Sequence, residues 1–154
     1  MAVSVRHQRV IVPVQNGAEV VEIHFSDLPS HYEDIIELFK AELAPLPLWL
    51  DVAKAYLELG QVQQFLGVLR LGTSDEVKFH YGDAGKPGRV QFLCALGAYH
   101  MTLAATHTER AARQTELTNA FKYFSEARGT DYQELLPHLG LGQISIAQVR
   151  IELW

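Results

Sequence analysis

The histidines are the side chains of this sequence that could bind a metal ion or transfer a proton near neutral pH. The chain has seven, and they are scattered along it: His7, His24, His31, His80, His100, His107 and His138. His100 and His107 lie two helical turns apart, so these two could share one helix face. Two imidazoles without a carboxylate at metal-ligand spacing make a weak site. We therefore expect no metal and a packing role for His100.

Two other local features resemble catalytic or ligand-binding motifs but lack their defining parts. Gly82-Asp83-Ala84-Gly85-Lys86 does not have the spacing of a phosphate-binding loop, and its lysine is followed by Pro87, so the required cradle of amides cannot form. Cys94, the single cysteine, lies in an apolar stretch with no basic neighbour to lower the pKa of its thiol. We expect an ordinary loop and a buried, unreactive thiol.

The charged clusters also favour structural roles. Glu33-Asp34 and Asp75-Glu76 are adjacent pairs, which indicate charges at helix starts rather than an acid–base pair. The sequence has no nucleophile elbow or catalytic-triad signature. Arg110 and Arg113 form a short basic stretch, for which a solvated helix face is favoured over a nucleic-acid contact. We expect no enzymatic activity and no cofactor.

The composition is that of a globular protein. The chain has 154 residues, 48% of them hydrophobic and 20% charged, with a formal net charge of −5. This charge gives no reason to expect direct nucleic-acid binding. No apolar run approaches the roughly twenty residues of a membrane span. A single cysteine fits a reducing compartment, so the default location is cytosolic or nuclear.

Residues at helical-hairpin spacing indicate the elements that position these side chains. The first signature is Trp49-x2-Val52-Ala53-x2-Tyr56-x3-Gly60, and the second is Leu96-Gly97 followed by Ala120-x3-Phe124-x2-Ala127. Two helices pack closely when small residues lie where the backbones approach and large apolar residues fill the gaps. Such spacing is typical of tetratricopeptide repeats, which bind proteins. The residues predicted to pack the repeats are Trp49, Ala53, Tyr56, Gly60, Leu96, Gly97, Ala120, Phe124 and Ala127.

The N-terminal part of the chain predicts a β-hairpin and a short helix. Asn16-Gly17, a strong signal for a hairpin turn, separates two alternating apolar runs at residues 10–14 and 19–25. Residues 32–42 carry apolar side chains at helical spacing. A lone hairpin is marginally stable in water, so its apolar face must pack on the helices or on another chain.

The rest of the chain predicts two helical hairpins and a lone helix. The predicted elements are a first repeat at 48–71 with its second helix at 61–71, an exposed mobile loop at 72–88, and a second repeat with helices at 89–105 and 116–128. Residues 106–115 are an insertion relative to a standard repeat, and they could lengthen either helix. Residues 132–154 form a helix without a partner or a polar cap, so we expect it to expose apolar side chains and to self-associate.

These elements define the expected fold class and domains. The fold is mainly α, with two tetratricopeptide-like hairpins, a lone helix and a short N-terminal β-hairpin. The predicted divisions are 1–46 for the hairpin and short helix, 47–131 for the two repeats, and 132–154 for the lone helix.

Positions not used for packing could line a partner groove. On the first helix of each repeat these positions are Leu50, Lys54, Leu57, Cys94, Ala98 and Met101. An apolar groove with one cation suits an extended or helical peptide. The alternative is that these residues pack against the N-terminal hairpin or the lone helix.

Four short sequence segments resemble those of a known family. They are Ile11-Val12-Pro13-Val14-Gln15, the Asp27-Leu28-Pro29 turn, Leu43-Ala44-Pro45-Leu46-Pro47-Leu48-Trp49-Leu50 and Ala95-Leu96-Gly97-Ala98-Tyr99. Together they resemble the N-terminus of the large tetratricopeptide subunit of the RNA polymerase II associated factor complex, the Paf complex, in its plant form, over about residues 10–128. The resemblance implies a nuclear, non-catalytic scaffold that supports transcription elongation and histone modification. It also implies contact with the name-giving subunit of the complex and an indirect link to RNA polymerase II.

Two segments depart from this family. Residues 135–147 resemble a helix from a much later repeat, as though an internal deletion or truncation had removed most of the array. The segment 82–88 has three glycines and a proline where the family has a charged, helix-compatible stretch. Two hypotheses follow. The first is an interaction module of the Paf complex, and the alternative is an aberrant or degenerate product without independent activity, or a competing truncated isoform.

Overall fold

The structure is a computed structural model that describes residues 8–17 and 19–153. It has two strands and seven α-helices in these ranges, and its residues group into two compact units that meet in sequence at Gly85 and Lys86. The elements of the first unit are β1 (Arg9–Pro13), β2 (Val20–His24), α1 (Tyr32–Ala41), α2 (Leu46–Glu58), α3 (Val62–Gly72) and α4 (Asp75–Tyr81). Those of the second are α5 (Lys86–Thr106), α6 (Arg110–Thr130) and α7 (Leu135–Leu153). The predicted mainly α fold with a short N-terminal hairpin is confirmed.

The predicted hairpin forms with β1 and β2 antiparallel, and Val12 lies opposite Val21. Along β1 the side chains alternate, so that Val10 and Val12 are buried while Ile11 faces solvent. Strand β1 packs on α2. The hairpin's apolar face therefore rests on the helices, as its small size requires.

Helices α1 to α3 form the core of the first unit around the predicted packing residues. Trp49, Ala53 and Tyr56 on α2 are fully buried. The hydroxyl of Tyr56 donates a 2.7 Å hydrogen bond to the backbone oxygen of Pro29, which ties the turn before α1 to α2. Gly60 follows α2 with a φ of +79°, a conformation that glycine adopts without strain. Gly60, named among the packing residues, is exposed and lies in the turn between α2 and α3.

The prediction of a loop over residues 72–88 is wrong. Ser74 begins α4 as its N-cap, with its hydroxyl oxygen accepting a hydrogen bond from the amide of Val77, whose side chain is buried. A 3₁₀ turn at Gly82–Gly85 follows, and α5 begins at Lys86. Pro87 lies in the first turn of α5, where a backbone N–H has no helical partner to lose.

The second unit is a bundle of three long helices. Residues 106–115 do not form a separate insertion: α5 extends to Thr106 and α6 begins at Arg110, so both helices have 21 residues. The alternative that these residues lengthen the helices is confirmed. Helix α7 packs on both α6 and α5.

The ring of Phe124 holds the three helices together. A Cβ at Gly97 on α5 would lie 2.6 Å from this ring, and one at Gly140 on α7 would come closer still. The two glycines therefore allow α5 and α7 to approach the same phenyl ring on α6. Ile144 and Ile151 on α7 are buried in the same core. The expectation that the last helix lacks a partner is corrected, although Ile146 and Val149 are exposed.

The units group the chain differently from the predicted divisions at 46 and 131. Strand β1 packs on α2 and helix α1 on α3, so the N-terminal segment shares its core with the first repeat. The second repeat shares its core with α7.

Candidate interaction groove

His100 has a carboxylate partner that the sequence analysis missed. Its Nδ1 lies 2.6 Å from Oε2 of Glu116, and Nε2 of His107 lies 3.8 Å from Oε1 of the same residue. The His100 ring also stacks on Tyr123, with 5.5 Å between centroids. No group of three or more His, Cys, Asp or Glu side chains in the described residues could hold a metal ion. The cluster links α5 to α6, which is the packing role expected for His100.

Cys94 belongs to the core and does not line a groove. Its side chain is buried among α5, α6 and α7 residues, including Leu117 and Phe124. Burial, with a smaller effect from the negative charge of Glu134, raises the pKa of the thiol to about 11. The thiol is therefore protonated near neutral pH and a poor nucleophile. This confirms the predicted buried thiol and corrects the assignment of Cys94 to a partner groove.

The first unit contains three of the predicted groove residues, on one face of α2. Leu50 is half-buried, while Lys54 and Leu57 are exposed. Lys54 lines a cavity of about 440 Å³ together with Arg9 and the carboxylates of Asp51 and Glu58. With both signs of charge present, this cavity favours neither an acidic nor a basic ligand.

In the second unit, Met101 is the predicted residue that lines a groove. Ala98 is exposed, and Met101 is half-buried against the core. Since α2 and α5 belong to different units, the idea that the two triplets form one groove stays a prediction.

The groove that Met101 lines lies between α5, α6 and α7, and we call it the α5–α7 groove. Its volume is about 480 Å³. Its apolar lining consists of Met101, Ala104, Ala105, Leu117, Ile146, Ala147 and Ile151. Two of the lining residues, Ala104 on α5 and Ala147 on α7, are small, and a larger side chain at either position would reduce this volume.

Two arginines supply the charge of the α5–α7 groove. Arg113 comes from α6 and Arg150 from α7, and none of the described residues lining the groove is acidic. Nε of Arg113 is shielded from solvent and has no hydrogen-bond partner within residues 8–17 and 19–153. Arg113 is half-buried, so the prediction of a solvated face is wrong for this residue. A buried donor without a partner costs stability unless a ligand or water satisfies it.

An apolar stripe on α7 borders the groove, and we call it the α7 stripe. Its members are Leu135, Leu139, Ile146, Val149 and Leu153, each between 52% and 74% exposed. Gly142, also exposed, lies on the same line between Leu139 and Ile146. Successive steps of four and three residues keep these positions on one side of a helix, which is the pattern of a helix–helix seam. Ile146 belongs to both the stripe and the groove.

The sequence contained a signal for the stripe but none for the groove. The four-and-three spacing from Leu135 to Leu153 is visible without a structure. The groove depends on α5, α6 and α7 meeting, and no local pattern shows that Arg113 and Arg150 lie on its wall. Within the described part of the chain, none of the helices is long and apolar enough to cross a membrane.

Comparisons with known proteins find a relative that is similar to most of the chain. No family model matches it. It is 36% identical over 143 residues, 93% of its length, to Protein CTR9 homolog from Arabidopsis thaliana. It is also 30% identical over 95 residues, 60% of its length, to RNA polymerase-associated protein CTR9 from Caenorhabditis elegans. The chain spans 13% of the first relative and 8% of the second.

The extent of the match includes the segment that departs from the expected family. A match covering 143 of 154 residues extends at least from residue 12 to residue 143, so it takes in most of the string at 135–147. An internal deletion is not required to explain the likeness, and it stays a prediction. The identity over nearly the whole chain agrees with the resemblance found in its motifs. Over nearly its whole length, the chain is therefore similar to a fragment of the Arabidopsis CTR9 homolog.

Proposed function

We propose that this chain is a protein–protein interaction module of the Paf complex. In this proposal it helps to hold subunits together in the nucleus, and so supports RNA polymerase II transcription elongation and the linked histone modification. The observation that carries the proposal is the 36% identity to the Arabidopsis CTR9 homolog over 93% of the chain. The C. elegans relative is an RNA polymerase-associated protein, which also supports a role in a complex that acts with RNA polymerase.

The geometry supports binding rather than catalysis. The α5–α7 groove and the α7 stripe are apolar surfaces on a packed helical unit, which is how helical-repeat proteins present binding faces. The nucleophile and base that catalysis would need have structural roles, because Cys94 is buried and His100 is bonded to Glu116. We therefore propose that the chain has no enzymatic activity.

The proposed partners are other Paf complex subunits, above all the name-giving subunit. Contact with RNA polymerase II would be indirect. The net charge of −5 supports a protein partner over direct nucleic-acid binding.

Affinity capture tests the proposal. The tagged chain is incubated with a plant nuclear extract, and bound proteins are identified by mass spectrometry. The control is the Trp49→Ala, Tyr56→Ala double variant, which removes two fully buried side chains from the first unit. Recovery of Paf complex subunits by the wild type and not by the control would support the proposal. Recovery of chaperones alone by both would contradict it.

A second candidate is an aberrant or degenerate product without independent activity. The α7 stripe favours it, because a row of exposed apolar side chains promotes self-association when no partner covers it. Thermal unfolding separates the two candidates. An interaction module should unfold cooperatively as a monodisperse chain, whereas a degenerate product should self-associate before any transition.

A further inference from the structure

We propose that the α5–α7 groove binds an amphipathic helical segment of a partner protein, with acidic residues beside its apolar face. This inference rests on the proposed function in one respect, the assignment of the partner protein to the Paf complex. The groove and its chemistry stand on the structure alone.

The shape of the site favours a helix. Met101, Leu117 and Ile151 come from three different helices and surround one apolar space of about 480 Å³. This volume takes a few side chains rather than a whole domain. A helix presents such side chains at intervals of three and four residues along one face.

The α7 stripe supplies the remaining contact area. It continues from the groove through Ile146 and runs from Leu135 to Leu153. At 1.5 Å per residue this line is about 27 Å long, the length of a helix of five turns. A stable interface needs about 800 Å² on each partner, so the groove would anchor a helix that also lies along the stripe.

The charges of the groove favour an acidic partner. Arg113 and Arg150 line it, and no described residue forms an ion pair with either guanidinium. Glu116, on the same helix as Arg113, is already hydrogen-bonded to His100 and lies 3.8 Å from His107. A partner carboxylate in the groove would give the guanidinium of Arg113 or Arg150 an ion-pair partner. The chain is acidic overall, so two unpaired cations on an apolar surface are a local departure from its charge.

A peptide-binding experiment tests the groove without the Paf complex. The probe is a fluorescein-labelled amphipathic peptide with leucine at intervals of three and four residues and glutamate on both flanks. Two matched peptides carry glutamine or lysine at the glutamate positions. Binding to the full chain is measured by fluorescence polarisation for the wild type and for Arg150→Glu, Arg113→Glu and Ile146→Asp. Arg128→Glu, an exposed position on α6 outside the groove, is the control.

We expect the wild type to bind the glutamate peptide about tenfold more tightly than the lysine peptide, because charged hydrogen bonds discriminate at this level. Arg150→Glu and Arg113→Glu each leave one positive and one negative charge in the groove, so each should abolish that preference. Ile146→Asp should weaken the binding of all three peptides, and Arg128→Glu should change nothing. Arg150 is exposed, so its variant tests the charge even if Arg113→Glu unfolds the unit. The proposal would be overturned if the wild type bound the glutamate and lysine peptides with equal affinity, or bound neither. It would also be overturned if Arg150→Glu preferred the glutamate peptide as strongly as the wild type does.

The same proteins distinguish a second copy of the chain from a partner. If α7 of another copy occupied the groove, sedimentation would show a dimer that Ile146→Asp dissociates, and this result would overturn the partner assignment. If a variant that no longer binds the peptide still captures Paf complex subunits, the assignment of the α5–α7 groove as the binding site is overturned and the proposed function is left intact.

Discussion

Replacing Gly140 with alanine puts a methyl group against the ring of Phe124. The ring has little room to move away, because Gly97 on α5 approaches it from another helix. The variant therefore tests whether one phenyl ring sets the distance between three helices. Gly142→Ala is the matched control, since it lies on the same helix and a Cβ there would have nothing within 4 Å.

Both substitutions raise the helix propensity of α7 by the same amount, but only Gly140→Ala adds a methyl group where the structure is already packed. Alanine should stabilise a helix interior by about 1 kcal/mol relative to glycine. Overpacking a buried site costs about 1–3 kcal/mol. Gly140→Ala should thus be less stable than Gly142→Ala by about 1–3 kcal/mol, with Gly142→Ala at or above the wild type.

Urea denaturation followed by circular dichroism at constant pH measures this difference. Phe124→Leu in the Gly140→Ala background should recover part of the loss, because the shorter side chain leaves room for the methyl group. Equal midpoints for the two alanine variants would refute the packing of Phe124 against Gly140.

Three further predictions concern other parts of the chain. Tyr56→Phe should lose about 1 kcal/mol of stability at pH 7, because it removes the hydrogen bond to Pro29. Burial, then the negative charges of Asp34 and Glu33, raise the pKa of Tyr56 from 10.0 to about 12. The contribution of this phenol to the free energy of unfolding is therefore full below pH 10 and is lost as the pH rises towards 12. In urea denaturations at increasing alkaline pH, the stability of Tyr56→Phe should fall less steeply than that of the wild type. Iodoacetamide should modify Cys94 slowly at pH 8 and quickly in denaturant, because the pKa of the buried thiol is about 11; rapid native modification, followed by mass spectrometry, would contradict its burial. Val149→Asp should leave the unfolding temperature of the chain unchanged, because this side chain is exposed; a fall of several degrees in a thermal denaturation followed by circular dichroism would contradict that exposure.

Local patterns sufficed for the parts of the fold held by neighbouring residues. Asn16-Gly17 predicts the hairpin because the turn itself demands those residues. The spacing of Trp49, Ala53 and Tyr56 predicts a packed face because the period of a helix is fixed. The structure buries all three.

The predictions that were wrong concern residues whose environment is set by contacts with residues distant in sequence. The glycines and proline at 72–88 favour a loop, yet the Ser74 cap and the buried Val77 hold a short helix. The assignment of Cys94 to a groove assumed an open face on α5, which the packing of α7 closes. Arg113 lines the groove with residues of two other helices, including Met101 on α5 and Ile146 on α7, and no pattern around Arg113 in the sequence indicates this position. Local composition does not contain these contacts.

The proposed function requires that this chain folds and binds a Paf complex subunit. Isothermal titration calorimetry of the purified chain against the purified name-giving subunit tests it most directly. We predict saturable binding with a dissociation constant of about 1 μM or tighter, as an interface of ordinary size provides, and its loss in the Trp49→Ala, Tyr56→Ala variant. A wild-type chain that unfolds cooperatively but gives no saturable heat would contradict the claim.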